Sequence, residues 1–571
     1  MAATNTRNRR WILRDDPGAI PKCETVAGLH PVLQRLLGQR GFVEDVCVGN
    51  FLEPRLKDLS DPFELPEMSE AVERVFQAVD EGQEICVYGD YDVDGITSIT
   101  LMQNVLQAYG AKVRHFVPVR GTEGYGLSEA AIERCMREGV RPDLFITVDC
   151  GTVSHDPIEQ LGGEGIDVIV VDHHERGEAG RPNCVALVNP KFESTPYAYL
   201  CAAGVVFKLA HALLKARPLA DFDLRNVLDL VALATISDIV PLVGENRLLV
   251  RHGLKRLSQT KNEGLRALME VTGLSGYASS SDVGFRIGPR INAAGRMDRP
   301  DEALSTLLAE TPEDAMELAE RLDDYNKERQ KTELRILAEA EAQVMEVHDV
   351  EKDPVIVVGS RDWHPGVVGI VASRLMRKYH RPAFVIAIDE KGIGKGSGRS
   401  VEGVSLVDAI AYGNEFLIAG GGHHMAAGIS VHEEQLAAFR ESFGQYVIEN
   451  TSPEDLEPKL HIDSVLGLGA LDMDFLHQYE RLQPFGSGNS VPVFVARDVW
   501  LSEAPRNLKN NHLKLWLRQG QDEKDAMFFG GGERELPEPP WDVAFTIDRN
   551  YFRGTTSCQM LVRDIRPAGQ L

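Results

Sequence analysis

Three short apolar runs in the first half of the chain end in acidic residues, and this pattern constrains the fold more than any other feature. The first run, 85–88, is followed by Asp-Tyr-Asp-Val-Asp-Gly at 90–95. The second, 144–148, is followed by Asp149, and the third, 167–171, by Asp172, His173 and His174. Such runs are typical of buried parallel strands. Since ligands bind beyond the carboxyl ends of strands in an open α/β sheet, we expect these side chains to meet at one edge.

An edge of this kind would gather at least five carboxylates and two histidines. Without a counter-charge these carboxylates would repel one another. Divalent metal ions supply that charge and prefer oxygen ligands. Hydrolysis of pyrophosphate or phosphodiester bonds is the chemistry that such an edge favours.

The spacing of Asp90, Asp92 and Asp94 also matches the start of a calcium-binding EF-hand loop. That loop needs a glutamate at its twelfth position and a preceding helix. Here the twelfth position is Leu101, and an apolar strand precedes the acids. A solvated turn and a structural histidine pair are the ordinary interpretations of each motif alone, but they do not account for three motifs at three strand ends.

A fourth segment, Ser-Asp-Ile-Val-Pro at 237–241, follows the apolar stretch 227–236. By itself Asp238 would be an N-cap or turn residue. An acid after so apolar a stretch is costly to bury unless it is paired or bound to metal. Together with the other three segments, Asp238 is predicted to be a metal ligand.

Composition narrows the class of protein. A chain of 571 residues is long enough for several domains. The net charge of −25 argues against a protein that coats nucleic acid, but it leaves room for a nuclease whose ligands are acids. The eight cysteines form no Cys-x-x-Cys pair, and neither a signal peptide nor a membrane-length apolar run is present, so we expect a cytoplasmic protein without membrane association.

Composition and periodicity predict five segments along the chain. They are a helical N-terminal segment (1–65), an α/β domain (66–250), an Arg/Gly segment with a long connecting helix (251–350), a smaller α/β domain (351–455) and a β-barrel (456–571). Thr311 and Pro312 open the long helix with N-cap and N1 chemistry, and no glycine or proline follows until Pro354. A surface helix hairpin is the alternative to a helix that bridges two domains.

The four acidic segments resemble the four motifs of the DHH phosphoesterase superfamily. Residues 291–296, 397–400 and 420–428 resemble its single-strand-specific exonucleases, and the resemblance covers about residues 65–571. It implies an α/β fold with a DHH-type parallel-sheet catalytic domain, a long connecting helix, a second smaller DHH-associated α/β domain and a C-terminal OB-fold barrel.

The resemblance also implies two divalent metal ions, Mn²⁺ or Mg²⁺. Asp90 and Asp92 would hold one ion, Asp94, His173 and Asp238 the other, and Asp149 would bridge them. Asp149, Asp172 and His174 are the expected catalytic residues. In this assignment Asp172 orients a histidine, and His174 donates to the phosphate or assists proton transfer.

Substrate contacts are expected outside the metal ligands. The resemblance makes Arg120, Ser397 and Arg399 a pocket for a 5′ phosphate, and the contacts predicted beside it are Asn292, Arg296, His423 and His424. The glycines of 391–400 would let backbone N–H groups approach a phosphate; a flexible loop is the alternative. The adjacent histidines of 420–428 cannot easily face one ion, which disfavours a second metal site there.

The C-terminal barrel carries aromatic residues that could stack bases, although barrel cores use the same residue types. These aromatic residues are Trp516, Phe528, Phe529, Tyr551 and Phe552, and the basic residues near them are Lys509, Lys514, Arg549 and Arg553.

Taken together, the resemblance implies a monomeric 5′→3′ exonuclease that releases mononucleotides from single-stranded DNA with a 5′ end, in recombination and repair. A channel between the two α/β domains would admit one strand only. Single-strand-binding protein and a RecQ-type helicase are the expected partners. Two alternatives stay open: a phosphodiesterase of short oligonucleotides or cyclic dinucleotides, and a non-catalytic DNA-binding scaffold.

Overall fold

The structure is a computed structural model that describes residues 9–14, 20–21, 24–124, 126–350, 352–552 and 554–570, with the backbone alone at 552. The chain forms two compact units. The central unit comprises residues 50–328 and 482–490, and the terminal unit comprises residues 1–49, 329–481 and 491–571. Among the described helices, none is both long and apolar enough to cross a membrane.

The N-terminal residues form a strand as well as helices. The elements are β1 (Arg10–Leu13), α1 (Pro31–Gln39) and α2 (Asp45–Leu52). Trp11 of β1 packs against Ile462 and Val495, and its Nε1 donates to Oδ2 of Asp564 at 2.8 Å. The expectation of a purely helical segment over residues 1–65 is therefore wrong at β1.

The central unit is built on a five-stranded parallel sheet. Its strands are β2 (Glu84–Gly89), β3 (Lys112–Phe116), β4 (Leu144–Val148), β5 (Asp167–Val171) and β6 (Ala186–Val188), in the order β3-β2-β4-β5-β6. Every residue of β4 is buried, as expected for a central strand covered on both faces. Val148 pairs with Gly89 on one side and with Val171 on the other, so three strands end level.

Helices cover both faces of this sheet. Those of the central unit are α3 (Met68–Glu81), α4 (Val93–Ala108), α5 (Arg120–Glu123), α6 (Glu129–Glu138), α7 (His155–Gly163), α8 (Ala202–Ala216), α9 (Leu228–Ser237), α10 (Gly244–Leu257), α11 (Glu263–Val271), α12 (Ser280–Asp282), α13 (Gly288–Arg296) and α14 (Pro300–Leu308). A π-helical turn, Val283–Ile287, joins α12 to α13. One core forms under α3, α4, α8 and α9, and a second forms under α6 and α7.

One continuous helix, α15 (Pro312–Val347), follows and spans 36 residues. The Oγ1 of Thr311 accepts from the backbone N–H of Asp314 at 3.1 Å, which is the predicted N-cap. The residues of α15 up to 328 belong to the central unit, and its residues from 329 onward belong to the terminal unit. The long connecting helix is confirmed, and the helix-hairpin alternative is wrong.

The terminal unit contains a smaller α/β fold with a mixed sheet. The elements are β7 (Ile356–Ser360), α16 (Val368–Tyr379), β8 (Ala383–Ile388), β9 (Ile393–Arg399), α17 (Leu406–Tyr412), β10 (Leu417–Gly422), β11 (Ala426–His432) and α18 (Leu436–Asn450). The strand order is β10-β11-β9-β8-β7, with only β7 and β8 parallel.

A closed barrel ends the chain. The elements of this C-terminal region are β12 (Lys459–Ile462), β13 (Ser464–Val465), α19 (Met473–Glu480), β14 (Phe494–Leu508), β15 (His512–Gln519), β16 (Asp522–Phe528), β17 (Trp541–Phe552) and β18 (Thr555–Pro567). The order β14-β15-β16-β18-β17 closes through pairing of β14 with β17, and β1 adds in parallel to β12. The predicted α/β fold with a C-terminal barrel is confirmed.

Candidate metal centre and substrate contacts

The level strand ends bring the predicted acids together. Asp90, Asp149 and Asp172 follow β2, β4 and β5, and each is at most 3% exposed. Three groups of side chains have ligand atoms within 4.8 Å of one another and could each hold a metal ion. These groups are Asp90 with Asp92 and Asp149; Asp94 with His173 and Asp238; and Asp149 with His173 and His174.

The loop after β2 is shaped by the start of α4. The Asp92 carboxylate caps this helix by accepting from the N–H groups of Asp94 (2.9 Å) and Gly95 (3.2 Å). A side chain at Gly95 would overlap the backbone of Asp90, so only glycine fits the close turn. The loop therefore presents its acids from a rigid helix terminus.

Asp94 is fixed by a second helix. Its two carboxylate oxygens accept from the N–H groups of Ala202 and Ala203 at the start of α8, each at 2.8 Å. A helix N-terminus stabilises negative charge through its free N–H groups. Nothing in the small apolar residues 202 and 203 signals this role, so the sequence did not indicate it.

The buried acids resist ionisation. Burial raises the pKa of Asp94 to about 7 and that of Asp238 to about 8, and repulsion from neighbouring aspartates adds to both shifts. Burial and the same repulsion raise the pKa of Asp90 and Asp149. The Oδ1 of Asp90 has no hydrogen-bond partner among the described residues. Bound cations would remove both costs.

His173 lies among the carboxylates. Its Nε2 is 3.3 Å from Asp149 Oδ1 and 3.7 Å from both Asp94 Oδ2 and Asp238 Oδ2. Burial, with the neighbouring charge of His174, lowers the pKa of His173 to about 3. The ring is therefore neutral, which is the form that binds metal.

His174 differs from its neighbour because its Nδ1 lies 2.7 Å from Oδ1 of Asp172. Burial disfavours the charged ring, but this contact raises the pKa of His174 to about 9. Burial likewise disfavours the Asp172 carboxylate, yet His174 holds the pKa of that carboxyl below its usual range. The Asp172 carboxylate also accepts from the N–H groups of Thr152 (3.0 Å) and His173 (2.7 Å).

Asn189 is a buried member of this network that the sequence analysis missed. Its Nδ2 donates to Thr152 Oγ1 at 2.8 Å and to the His174 carbonyl at 2.9 Å, so it ties the loop after β4 to the loop after β5. Asn189 follows β6 directly. The strand-end pattern that located the acids would have located it as well.

The predicted contacts in the central unit adjoin the acidic loop. The Arg120 guanidinium lies 5.4 Å from the centre of the Tyr91 ring, and Gly295, next to Arg296, packs closely on Tyr91. Asn292 also has a structural contact. Its Oδ1 accepts from the N–H of Val93 at 3.1 Å, so it anchors the first turn of α4.

In the terminal unit, Ser397 and Arg399 share one face of β9. Arg399 Nη1 donates to Ser397 Oγ at 3.0 Å, and a side chain at Gly369, in the first turn of α16, would lie 2.9 Å from the same Oγ. Two predictions for residues 391–400 are wrong: that the glycines offer their N–H groups to a phosphate, and, as the alternative, that the segment is a flexible loop. Most of the segment forms β9, whose backbone is hydrogen-bonded to both β8 and β11.

His423 and His424 follow β10 and are exposed. His424 Nδ1 lies 2.8 Å from Ser405 Oγ. Neither histidine belongs to a cluster that could hold a metal among the residues the structure describes.

The aromatic residues of the barrel divide into core and surface. Phe528 is 1% exposed and belongs to the core, whereas Phe529 and Tyr551 are 41% and 73% exposed. The side chain of Phe552 and Arg553 lie outside the described residues. Lys514 pairs with Asp525 and Arg549 with Glu480, so these basic residues already have carboxylate partners.

Comparison with known proteins agrees with this arrangement. The family models that match are "DHH family, N-terminal domain" at 84–235, "DHHA1 domain" at 352–449 and "RecJ OB domain" at 462–564. The chain is 35% identical to the single-stranded-DNA-specific exonuclease RecJ of Bacillus subtilis, over 97% of this chain and 70% of the relative. It is 33% identical to the protein of the same name from Escherichia coli, over 95% of this chain and 96% of the relative.

Solved structures agree as well. The structure of RecJ in complex with Mn²⁺ from Thermus thermophilus matches with a TM-score of 0.83 and 30% identity, over 98% of this chain and 80% of that one. The Mg²⁺ complex from the same organism matches with a TM-score of 0.77 and 29% identity, over 98% and 78%. With its acidic strand ends, smaller α/β fold and barrel in the same order, the chain belongs to the RecJ family of DHH phosphoesterases.

Proposed function

We propose that the protein is a metal-dependent 5′→3′ exonuclease that hydrolyses phosphodiester bonds of single-stranded DNA and releases 5′-mononucleotides. The observation that carries the proposal is the pair of adjacent ligand groups in the central unit, joined where Asp149 approaches His173 at 3.3 Å. The intact ligand set disfavours a non-catalytic scaffold. The presence of the barrel disfavours a phosphodiesterase of short oligonucleotides or cyclic dinucleotides.

Two ions, Mn²⁺ or Mg²⁺, fit the residues present. Asp90, Asp92 and Asp149 would hold one, and Asp94, His173 and Asp238, with Asp149, the other. The donor set suits these metals because it is rich in carboxylate oxygen with one neutral imidazole. When bound, such ions lower the pKa of water and neutralise charge on the phosphate under attack.

Asp172 and His174 would handle a proton beside these ligands. Because Asp172 keeps the imidazole charged below about pH 9, the Nε2 of His174 can donate to a phosphate oxygen or supply a proton to the leaving group. Asn189 and Thr152 hold Asp172 and the His174 backbone in place. His174 would thus act on substrate while Asp172 orients it.

Selection of a 5′ end would depend on phosphate binding in the terminal unit. Ser397 and Arg399 lie under the first turn of α16, and free N–H groups at a helix start favour phosphate. A guanidinium beside a hydroxyl adds two further donors. We assign these residues to the terminal phosphate, His423 and His424 to phosphates elsewhere on the strand, and Arg120 and Arg296 to phosphates beside the acidic loop.

The wider setting extends the same proposal. We propose a cytoplasmic monomer that acts in recombination and repair with single-strand-binding protein and a RecQ-type helicase. Support comes from the single-stranded-DNA-specific exonucleases among its relatives. Stimulation of digestion by each partner, measured with the purified proteins, tests this part separately.

Digestion of 5′-labelled substrates in Mn²⁺ tests the central proposal. We expect release of label from a long single strand, and not from a blunt duplex or a dinucleotide. Asp149→Ala should abolish release without unfolding the metal-free protein, because it removes a buried acid whose ionisation is disfavoured by burial and by neighbouring aspartates. Asp156→Ala, an exposed acid on α7, is the matched control. Retained activity in Asp149→Ala would contradict the two-metal assignment.

A further inference from the structure

Ile239 has an unfavourable backbone conformation. It follows the C-cap of α9 with φ of 61°, and its N–H donates to the Ile236 carbonyl at 3.3 Å. Glycine or asparagine normally takes this left-handed position after a helix, and a β-branched residue is a genuine outlier. Among the non-glycine residues with positive φ in the described chain, Ile239 is the only β-branched one.

Packing does not explain the choice of isoleucine. The residue is 72% exposed, so its side chain gains little from the protein core. Glycine would adopt the same backbone without strain and would still end α9 at Asp238. The isoleucine side chain therefore strains the backbone and also exposes apolar surface to water. A strained residue of this kind points to a role in function.

Its position relates that role to the reaction. Ile239 directly follows Asp238, so the Cα atoms of these two residues are only about 3.8 Å apart. The Oδ2 of Asp238 is in turn 3.7 Å from His173 Nε2. The neighbouring π-helical turn, which touches α9 where Gly284 approaches Ile236, exposes 78% of Phe285. One exposed apolar side chain, Ile239, thus directly follows a predicted metal ligand, and a second, Phe285, lies on the turn that packs against α9.

We infer that the Ile239 side chain contacts the substrate, lying against the nucleobase of the nucleotide that is released. The inference rests on the proposed exonuclease activity. A phosphodiester chain offers an apolar side chain only its sugars and bases, and an unpaired base exposes a wide apolar face. The contact would hold the terminal nucleotide against the metal ligands without reading its sequence, because it uses no hydrogen bond.

A substrate contact and a structural role of Ile239 predict opposite effects of its substitution on stability and activity. In Ile239→Gly the backbone strain disappears, so the melting temperature should rise by roughly 1–2 °C, while kcat/KM on single-stranded DNA should fall by about tenfold. Ile239→Asn, which tolerates left-handed backbone, should behave in the same way. A loss of stability with full activity would overturn the inference.

An abasic substrate locates the contact. Wild type should lose about tenfold in kcat/KM when the 5′-terminal nucleotide lacks its base. On that abasic substrate Ile239→Gly should have the same kcat/KM as wild type, because the contact that it removes is already absent. Anisotropy with a strand whose terminal linkage is a cleavage-resistant phosphorothioate gives the same comparison as a binding affinity. If the variant is impaired equally on normal and abasic strands, the base contact is wrong.

His380→Gly is the matched control. His380 also has left-handed backbone at the end of a helix, as the C-cap of α16 with φ of 48°, but it is far from the acidic cluster in sequence and belongs to the other unit. It should stabilise the protein without changing either substrate's kcat/KM. If wild type itself fails to degrade the normal strand, the proposed exonuclease activity fails, which is a different outcome from an unchanged Ile239→Gly.

Discussion

The Nδ1 of His174 lies 2.7 Å from Oδ1 of Asp172, and this contact sets His174 apart from His173, whose pKa is lowered mainly by burial. His174 has a pKa of about 9 and is charged at neutral pH, whereas His173 has a pKa of about 3 and is neutral. One ring is thereby suited to donate to a phosphate and the other to accept a metal ion.

Asp172→Asn should change the pH dependence of the reaction as well as its rate. Without the carboxylate, the pKa of His174 should fall toward its ordinary value, so the variant loses activity between about pH 6 and pH 8, where wild type does not. We expect a loss of at least about tenfold in kcat at pH 8. A pH–rate profile parallel to wild type would contradict the role of this pair; His174→Gln provides the reference without a titrating ring.

Metal binding should become more stabilising as pH rises. Asp94 and Asp238 have folded pKa values of about 7 and about 8, above those of the unfolded chain. Their contribution to the free energy of unfolding is fully present only below the ordinary aspartate pKa of about 4, and it is lost as pH rises from there through 7 and 8. Mn²⁺ should therefore raise the melting temperature more at about pH 8.5 than at about pH 6, with proton release in calorimetry. Equal stabilisation at both pH values would count against the cluster; Asp238→Asn should flatten the trend.

Asn292→Ala should weaken the metal site rather than DNA binding. Its Oδ1 holds the first turn of α4, and loss of such a cap costs about 1 kcal/mol. We expect a lower melting temperature and a weaker Mn²⁺ affinity, with Asn292→Asp retaining both because it keeps the acceptor. A raised KM for DNA with unchanged melting and Mn²⁺ affinity would instead support the substrate contact expected from the sequence.

Arg399→Ala should remove discrimination between substrate ends. The guanidinium beside Ser397 is assigned to the terminal phosphate, so the variant should lose about tenfold or more in kcat/KM on 5′-phosphorylated strands and little on 5′-hydroxyl strands. Arg377→Ala, in the last turn of α16, is a control with the same charge change. An equal loss on both substrates would show that Arg399 has another role.

The sequence predicted the acidic centre because strand ends are encoded locally: an apolar run followed by acids needs no knowledge of the rest of the fold. Asp90, Asp149 and Asp172 could therefore be placed together from the sequence alone. The supports of the centre could not, because Ala202 and Ala203 act through backbone N–H groups that any residue would offer. The contact of Asn292 could not be foreseen for a related reason, since its partner, the N–H of Val93, lies 199 residues away.

Alternate residues of β9 face different surroundings, and this gives the strand an uneven tolerance to mutation. A side chain at Gly396 would come within 2.8 Å of both Ile386 and Ile429, and Gly398 packs directly on the Phe384 ring. Lys395, Ser397 and Arg399 point the other way. A saturation library across this strand should divide by odd and even position: even positions should fail in protein yield, and odd positions should yield soluble protein with altered preference for DNA ends.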